Sequence, residues 1–425
     1  MKILVISRHA LDETNSIGNT ISNFFSGISD VKFANIFFRS GKPNNTFCEE
    51  YYQVTEKDVI KHWLSPRKIG RQFHIGYQCD IVRGKDIDEK MIAMIHNYNI
   101  SLAHRVSERV WESKRWINRN LRKFVESFSP DLIFSFVKAA PQYYLTIKFL
   151  REEYNIPLLS WIADDEYTGY LQNNSISKIN NLKYILAESS CVIGCSKEIC
   201  NYYNLNFGCN ATPLYKGCDF VNAVRTTPMH NSISIVYAGN LLYGRFNVID
   251  TVSACIEEYS AQKKMDICFE IYSNTEISNS RIHNHFGNKC CTKYMGKCDY
   301  GIIKKRLSTA DVVLYVESFE KEEILKTKYS FSTKIADYLQ CGSSILAIGP
   351  GELASIKYFK QIQGVCVIDK PVSVKDELFA FLNDYNEFGH RASQIREFAM
   401  AYHDSKKVQL KLRNLISALK RSDEQ

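Results

Sequence analysis

The stretch richest in chemistry is Ser330-Phe331-Ser332-Thr333-Lys334-Ile335-Ala336-Asp337-Tyr338-Leu339-Gln340-Cys341-Gly342. Ser332 or Thr333 is suited to cap a helix opening at Lys334, and Gly342 to end it. A helix start presents unpaired backbone N–H groups and the positive end of a dipole, which together attract a phosphate, and Lys334 adds a full charge at the same end. Three residues on, Asp337 shares that face and can accept hydrogen bonds from paired hydroxyls such as those of a ribose. Phosphate beside a diol describes a nucleotide diphosphate. The plain alternative is an exposed i,i+3 ion pair worth only ~0.2–0.5 kcal/mol, and the spacing alone leaves both readings open. A second group, Asp164-Asp165-Glu166, follows the apolar run Pro157–Ile162. Acids just past a strand's carboxyl end can face a site, although three acids are also ordinary loop composition.

These residues need strands and helices to place them. Short apolar runs alternate with longer amphipathic stretches, which is the pattern of parallel strands joined by helical crossovers. The expected strands of the first half are Lys2–Ser7, Asp131–Phe136, Pro157–Ile162 and Cys191–Cys195. Those of the second half are Ser234–Ala238, Asp266–Tyr272, Asp311–Val316, Ser344–Ile348 and Gly364–Ile368. Between the sets, Val221–Asn231 reads as a linker. The chain of 425 residues is long enough for two domains. The expected division is 1–225 and 226–400, with a C-terminal helix over 401–425 that packs back on the first domain. Each half has strands enough for a doubly wound α/β sheet, and two such domains facing across a cleft would place the strands' carboxyl ends toward it. The loop after the first strand, Arg8–Thr20, holds one glycine and no Gly-x-Gly-x-x-Gly, which argues against a dinucleotide enzyme.

Ser-Thr-Lys-Ile-x-Asp-Tyr-Leu-x-x-Gly from Ser332 to Gly342, followed by an apolar strand and Gly349-Pro350, resembles the donor-site region of bacterial group 1 (family 4-like) nucleotide-sugar glycosyltransferases of the surface-polysaccharide type, which have the GT-B fold. The resemblance implies that Asp337 stands at the second glutamate of the family's paired-glutamate motif and holds the donor ribose. Where the first glutamate is expected this chain has Tyr329, and Glu317 is the nearest substitute. Ile235-Val236-Tyr237-Ala238-Gly239-Asn240-Leu241 resembles the first strand and loop of the donor domain. The family's two diphosphate-binding cations after the glycine correspond to Asn240 and Arg245, so one cation survives. The implied donor-binding set is Gly239, Asn240, Arg245, Ser332, Thr333, Lys334 and Asp337. Asp164, Asp165 and Glu317 are the implied catalytic candidates, and Asn15 and Gly18 the acceptor-side ones. Tyr294-Met295-Gly296 resembles the base-side loop, and Lys216-Gly217-Cys218-Asp219 the family's asparagine-glycine-x-aspartate. The implied activity is transfer of a sugar from a nucleotide diphosphate sugar to a glycan acceptor, lipid-linked, with retention at the anomeric carbon and with neither metal nor cofactor.

A nucleotide-sugar epimerase of the same fold would instead need several cleft histidines and carboxylates; His9, His283 and His285 exist, but none lies in a recognisable setting. A binding protein without turnover is the third reading, motivated by Tyr329 and Asn240. Fifty-four basic against forty-six acidic side chains give a net charge of +8, short of a nucleic-acid binder. No apolar run reaches the ~20 residues of a membrane span, and the start is too quickly polar for a signal peptide, so a cytoplasmic location is expected. The fourteen cysteines read as buried free thiols, since none of their clusters has Cys-x-x-Cys spacing. The stretch Met91–Phe128 reads as helical. Its Arg, Lys, Trp111 and Trp116 residues would suit an anionic membrane surface, and equally a solvated helix with its aromatics turned inward.

Overall fold

The computed structural model describes residues 1–28, 30–64, 69–74, 107–220, 232–275 and 279–422. The expected linker at 221–231 lies outside them. The chain divides into two compact units, residues 1–214 with 409–425, and residues 215–408.

The first unit holds strands β1 (Lys2–Ser7), β2 (Lys32–Phe37), β3 (Cys48–Gln53), β4 (Arg71–His74), β5 (Leu132–Phe136), β6 (Leu158–Ile162), β7 (Cys191–Gly194) and β8 (Thr212–Pro213). They form one sheet in the order β4-β3-β2-β1-β5-β6-β7-β8, in which only the β3–β4 pair is antiparallel. The second unit holds β9 (Ser232–Ala238), β10 (Asp266–Tyr272), β11 (Thr292–Gly296), β12 (Val312–Val316), β13 (Ser344–Ile348) and β14 (Cys366–Ile368). Its sheet is parallel throughout, in the order β11-β10-β9-β12-β13-β14.

Each of these sheets reverses its winding direction once, between β1 and β5 and between β9 and β12. In open α/β sheets the crevice beyond the strands' carboxyl ends at such a point is where ligands bind. The strands flanking both reversals are buried almost throughout, because helices cover both faces of a parallel sheet. That is why they stand out in the sequence as apolar runs. β2 and β3 do not. KFANIF carries a buried Asn35, whose amide donates to Val5 O at 3.0 Å and to Ser7 Oγ at 2.9 Å. CEEYYQ leaves Glu49 exposed while burying Tyr51 and Tyr52.

The described part of 91–128 is two helical pieces, 107–112 and Arg119–Phe128, separated by a turn. Residues 91–106, with His104 and Arg105, lie outside the described residues. Trp111 and Trp116 are buried and meet edge to face at 5.4 Å, both also packing on Phe38. The expected membrane-facing surface therefore loses its aromatic anchors to the core. No described helix is long and apolar enough to cross a membrane. The thirteen cysteines of the described residues are free thiols, and burial pushes those of Cys48 and Cys200 up to about 12. The last helix, Ser405–Ser422, brings Gln409 against the first helix, where its Nε2 donates to Asn23 O at 2.9 Å.

Candidate functional site

At the reversal of the second sheet the chain leaves β9 through Gly239-Asn240-Leu241-Leu242-Tyr243-Gly244 and enters the helix Arg245–Lys263. Tyr243 is left-handed at φ 57. Such a backbone is uncommon for a bulky residue and makes the tight turn that puts Arg245 in the helix's first turn. The Arg245 guanidinium faces the neighbouring strand end. Its Nε and Nη2 donate to Glu317 Oε2 at 3.1 and 2.8 Å, its Nη2 also to Oε1 at 3.1 Å, and its Nη1 to Asn240 Oδ1 at 2.7 Å. Tyr315 donates to Glu317 Oε1 at 2.7 Å. Both carboxylate oxygens are thus filled by protein donors, and Glu317, buried to 5 % exposure, positions Arg245. It has no free oxygen for the catalytic role expected of it. Asn240 thus helps to anchor Arg245.

Lys334 arrives from the other side. Its helix, Lys334–Gln340, is tied to the end of β9 by Tyr338, whose hydroxyl donates to Ala238 O at 3.2 Å and accepts from Ala238 N at 3.3 Å. This brings Lys334 Nζ so close over Gly239 that a Cβ there would lie 2.7 Å from it and 2.5 Å from the Tyr237 hydroxyl. Only glycine leaves room. Lys334 makes no side-chain hydrogen bond or ion pair among the described residues. Desolvation, and then the repulsion of Arg245, pull its ammonium down to about 8, against the weaker attraction of Glu317 and Asp337. Thr333 occupies the cap position with helical backbone angles and no side-chain cap bond. The hydroxyl that meets the opening turn is that of Ser332, which accepts from Lys334 N at 3.3 Å.

Asp337 does not pair with Lys334. Its Oδ1 accepts from Lys216 Nζ at 2.8 Å and from the Tyr300 hydroxyl at 3.1 Å. The simple i,i+3 ion pair is therefore not what forms. Lys216, from the segment just before Asp219, stands in its place, with 9 % of its side chain exposed against 13 % for Asp337. Tyr300, Lys304, Leu307, Asp337, Gln340 and Cys341 line a small hollow here.

In the first unit, Asp165 accepts from Tyr167 N at 3.0 Å and Thr168 N at 3.3 Å, so it holds the start of the helix Tyr167–Gln172. Glu166 pairs with Lys138 at 2.7 Å and accepts from the Tyr170 hydroxyl at 2.8 Å. Asp164 keeps an open side. Desolvation by the protein around it holds its carboxyl above the usual range, ahead of the opposing pull of Lys138. Asn15 caps the helix Ser16–Phe25 by accepting from Gly18 N at 2.8 Å. A Cβ on Gly18 would fall 2.0 Å from Asp12 O. The close approach that requires this glycine is thus to the loop's own backbone, and both acceptor-side candidates have local structural duties.

The structure therefore brings together Gly239, Asn240, Arg245, Glu317, Ser332, Lys334 and Asp337, and it keeps Asp164 near the reversal of the first sheet. Sequence reasoning gave no functional weight to Lys216 and Tyr300, the partners of Asp337. Lys216 was legible only as a substitution in a motif, and Tyr300 carried no signal. Of the histidines, His285 is held by Asp250 at 2.7 Å on an exposed helix, and the side chain of His283 lies outside the described residues.

No family model matches this chain, and no curated protein matches it. Among solved structures it is similar to Anabaena HepE in complex with UDP, at 12% identity and TM-score 0.60, covering 98% of this chain and 100% of that one. Sucrose-phosphate synthase from Thermosynechococcus elongatus is similar at 12% identity and TM-score 0.62, over 99% and 100% of the two chains. The E. coli trehalose-6-phosphate structure bound with UDP-2-fluoro glucose gives 11% and 0.63, over 99% of both. With the two parallel-sheet units described above, these likenesses show that the chain has the GT-B fold of two Rossmann-like α/β domains.

Proposed function

We propose that this protein is a glycosyltransferase of the family 4-like group, moving a sugar from a nucleotide diphosphate sugar to a glycan acceptor. The observation that carries this reading is Lys334, a half-buried ammonium without a hydrogen-bond or ion-pair partner among the described residues, set over Gly239 at the reversal of the second sheet and beside Arg245. A buried cation costs free energy unless an anion meets it, and a diphosphate supplies that anion. HepE and the E. coli structure, both similar in fold, bind UDP and a UDP-sugar, which supports a nucleotide donor.

In this reading Lys334 meets the diphosphate. Charge accumulates on that group as the glycosidic bond to the donor breaks, and an ammonium already desolvated there lowers the barrier without reorganising. Arg245, fixed by Glu317 and Asn240, adds positive potential and one remaining Nη1–H. Asp337, oriented by Lys216 and Tyr300, accepts from the ribose hydroxyls. Asp164 orients the acceptor hydroxyl. Protein cations do the work that a metal does elsewhere, and the transfer is retaining. The acceptor is lipid-linked and the product a bacterial surface polysaccharide, made at the inner face of the membrane.

Titration calorimetry with UDP tests the donor site. Wild-type protein is expected to bind, and Lys334→Met to lose at least tenfold in affinity. Equal affinity of the two proteins overturns the assignment.

A further inference from the structure

The turn that joins β9 to the helix Arg245–Lys263 carries an aromatic side chain where its backbone disfavours one. Arg245 N donates to Leu242 O at 3.3 Å, and the two residues inside that turn, Tyr243 and Gly244, are both left-handed, at φ 57 and 69. Turns with two such residues favour Asn, Asp and Gly, because a Cβ at positive φ crowds the next carbonyl. The other described non-glycine residues at positive φ are Lys114, Ser129, Asn155, Asn174, Asn210 and Lys264, so Tyr243 is the one aromatic among them. The turn cannot relax by moving Gly244 outward, since it is pressed on the loop after β12, where a Cβ would fall 2.3 Å from Ser318 Oγ. Tyr243 therefore costs stability, and the fold gains little from it. It is 47 % exposed, and its hydroxyl makes no hydrogen bond among the described residues. Its ring meets the Arg245 guanidinium at 5.6 Å, and Leu242 beside it is 49 % exposed. Strain of this kind held at a site points to function.

We infer that Tyr243 is the platform for the sugar of the nucleotide diphosphate sugar, with Arg245 on one face of its ring and the pyranose on the other. The inference rests on the glycosyltransferase reading and names the residue that meets the transferred group. Gly239, over which Lys334 Nζ lies, begins the same loop, so a diphosphate held there has its sugar within reach of Tyr243 and Leu242. A diphosphate is met by cations and N–H donors, and an apolar surface offers it nothing. A pyranose ring differs, because it presents faces of C–H groups edged by hydroxyls, which match the apolar body and polar tip of a tyrosine.

The test is titration calorimetry of the full chain with UDP, UDP-glucose, UDP-galactose and UDP-N-acetylglucosamine. For at least one of the three UDP-sugars, Tyr243→Ala is expected to lose about fivefold more affinity than it loses for UDP. Tyr243→Phe is expected to keep the wild-type affinity, since stacking needs the ring and not the hydroxyl. Tyr243→Asn restores the residue pair that such a turn prefers. It is expected to bind UDP-sugars as weakly as Tyr243→Ala while its urea midpoint equals or exceeds that of wild type. A tyrosine kept only for the fold would lower the midpoint and weaken every ligand alike. The inference is overturned by equal losses for UDP and all three UDP-sugars in Tyr243→Ala, or by wild type binding UDP but none of the UDP-sugars. A loss in Tyr243→Phe as large as that in Tyr243→Ala, or a lower urea midpoint in Tyr243→Asn, overturns it as well. Failure of UDP to bind wild type overturns the donor reading instead.

Discussion

Arg245 and Glu317 form a two-pronged ion pair, with Nη2–Oε2 at 2.8 Å and Nε–Oε2 at 3.1 Å, across the ends of β9 and β12. Only 15 % of the Arg245 side chain and 6 % of the Glu317 side chain are exposed. The pair lies at the reversal of the second sheet, and it restrains the Arg245 side chain.

Removing one partner of such a pair strands the other charge without solvent, which costs about 3–5 kcal/mol. Glu317→Ala is therefore expected to lower unfolding free energy by about 3 kcal/mol, measured by urea denaturation. A loss below about 1 kcal/mol would mean that water reaches Arg245 and that the pair is not structural.

The ammonium of Lys334, lowered to about 8, makes binding and stability respond to pH with opposite signs. Above that value the folded protein loses the Lys334 proton while the unfolded chain, with an ordinary lysine near 10.4, keeps it. Over the window from about 8 to about 10.4 the unfolded state binds more protons, so this group's contribution to stability rises with pH. UDP affinity, which in the proposed donor site needs the charged form, is expected to be flat below 8 and to fall above it. Calorimetry between pH 7 and 9.5 checks this, with Lys334→Met expected to bind weakly at every pH. A decline of equal slope in that variant would place the titrating group elsewhere.

The sheets were legible because parallel strands covered on both faces must be apolar. Ser344–Ile348 and Asp266–Tyr272 are found at the bounds expected from sequence. The strands that escaped notice carry a buried polar group or alternate, as Asn35 in β2 and Glu49 in β3 do. In the site, Lys334 and Asp337 were visible as residue types at a helix start, and Arg245 through the resemblance. Their partners were not, because Lys216 meets Asp337 across 121 positions and Glu317 meets Arg245 across 72. Spacing rules speak only of neighbours within an element.

Asp337 is set against a lysine and a tyrosine, so the ribose contact proposed for it can be tested separately from the phosphate. Asp337→Asn is expected to weaken UDP about tenfold and to leave the affinity of inorganic pyrophosphate unchanged, both read by calorimetry. Equal losses for the two ligands would show that the substitution disturbs Lys334 rather than a ribose contact.

Asp164 is the acid of its cluster with an open side and a raised carboxyl. A group orienting or exchanging a proton with the acceptor hydroxyl contributes about a hundredfold or more. Asp164→Asn is expected to reduce kcat by that factor while UDP affinity stays constant. Retained turnover in a sugar-transfer assay would return Asp164 to the ordinary chemistry of a loop.

Gly239→Ala tests the close approach on which the proposed donor site rests. The added methyl would meet Lys334 Nζ at 2.7 Å and the Tyr237 hydroxyl at 2.5 Å, both too short for contact. Lys334 is the end of a flexible chain and can move aside, but Tyr237 is buried and its hydroxyl donates to Asn240 O at 2.6 Å, so the loop at Gly239 must shift as well. Both shifts disturb the site proposed for the diphosphate. The expected result is at least a tenfold loss of UDP affinity with a change in unfolding free energy of about 1–3 kcal/mol. Undiminished UDP binding by the folded variant would show that the diphosphate is not held by Lys334 over Gly239.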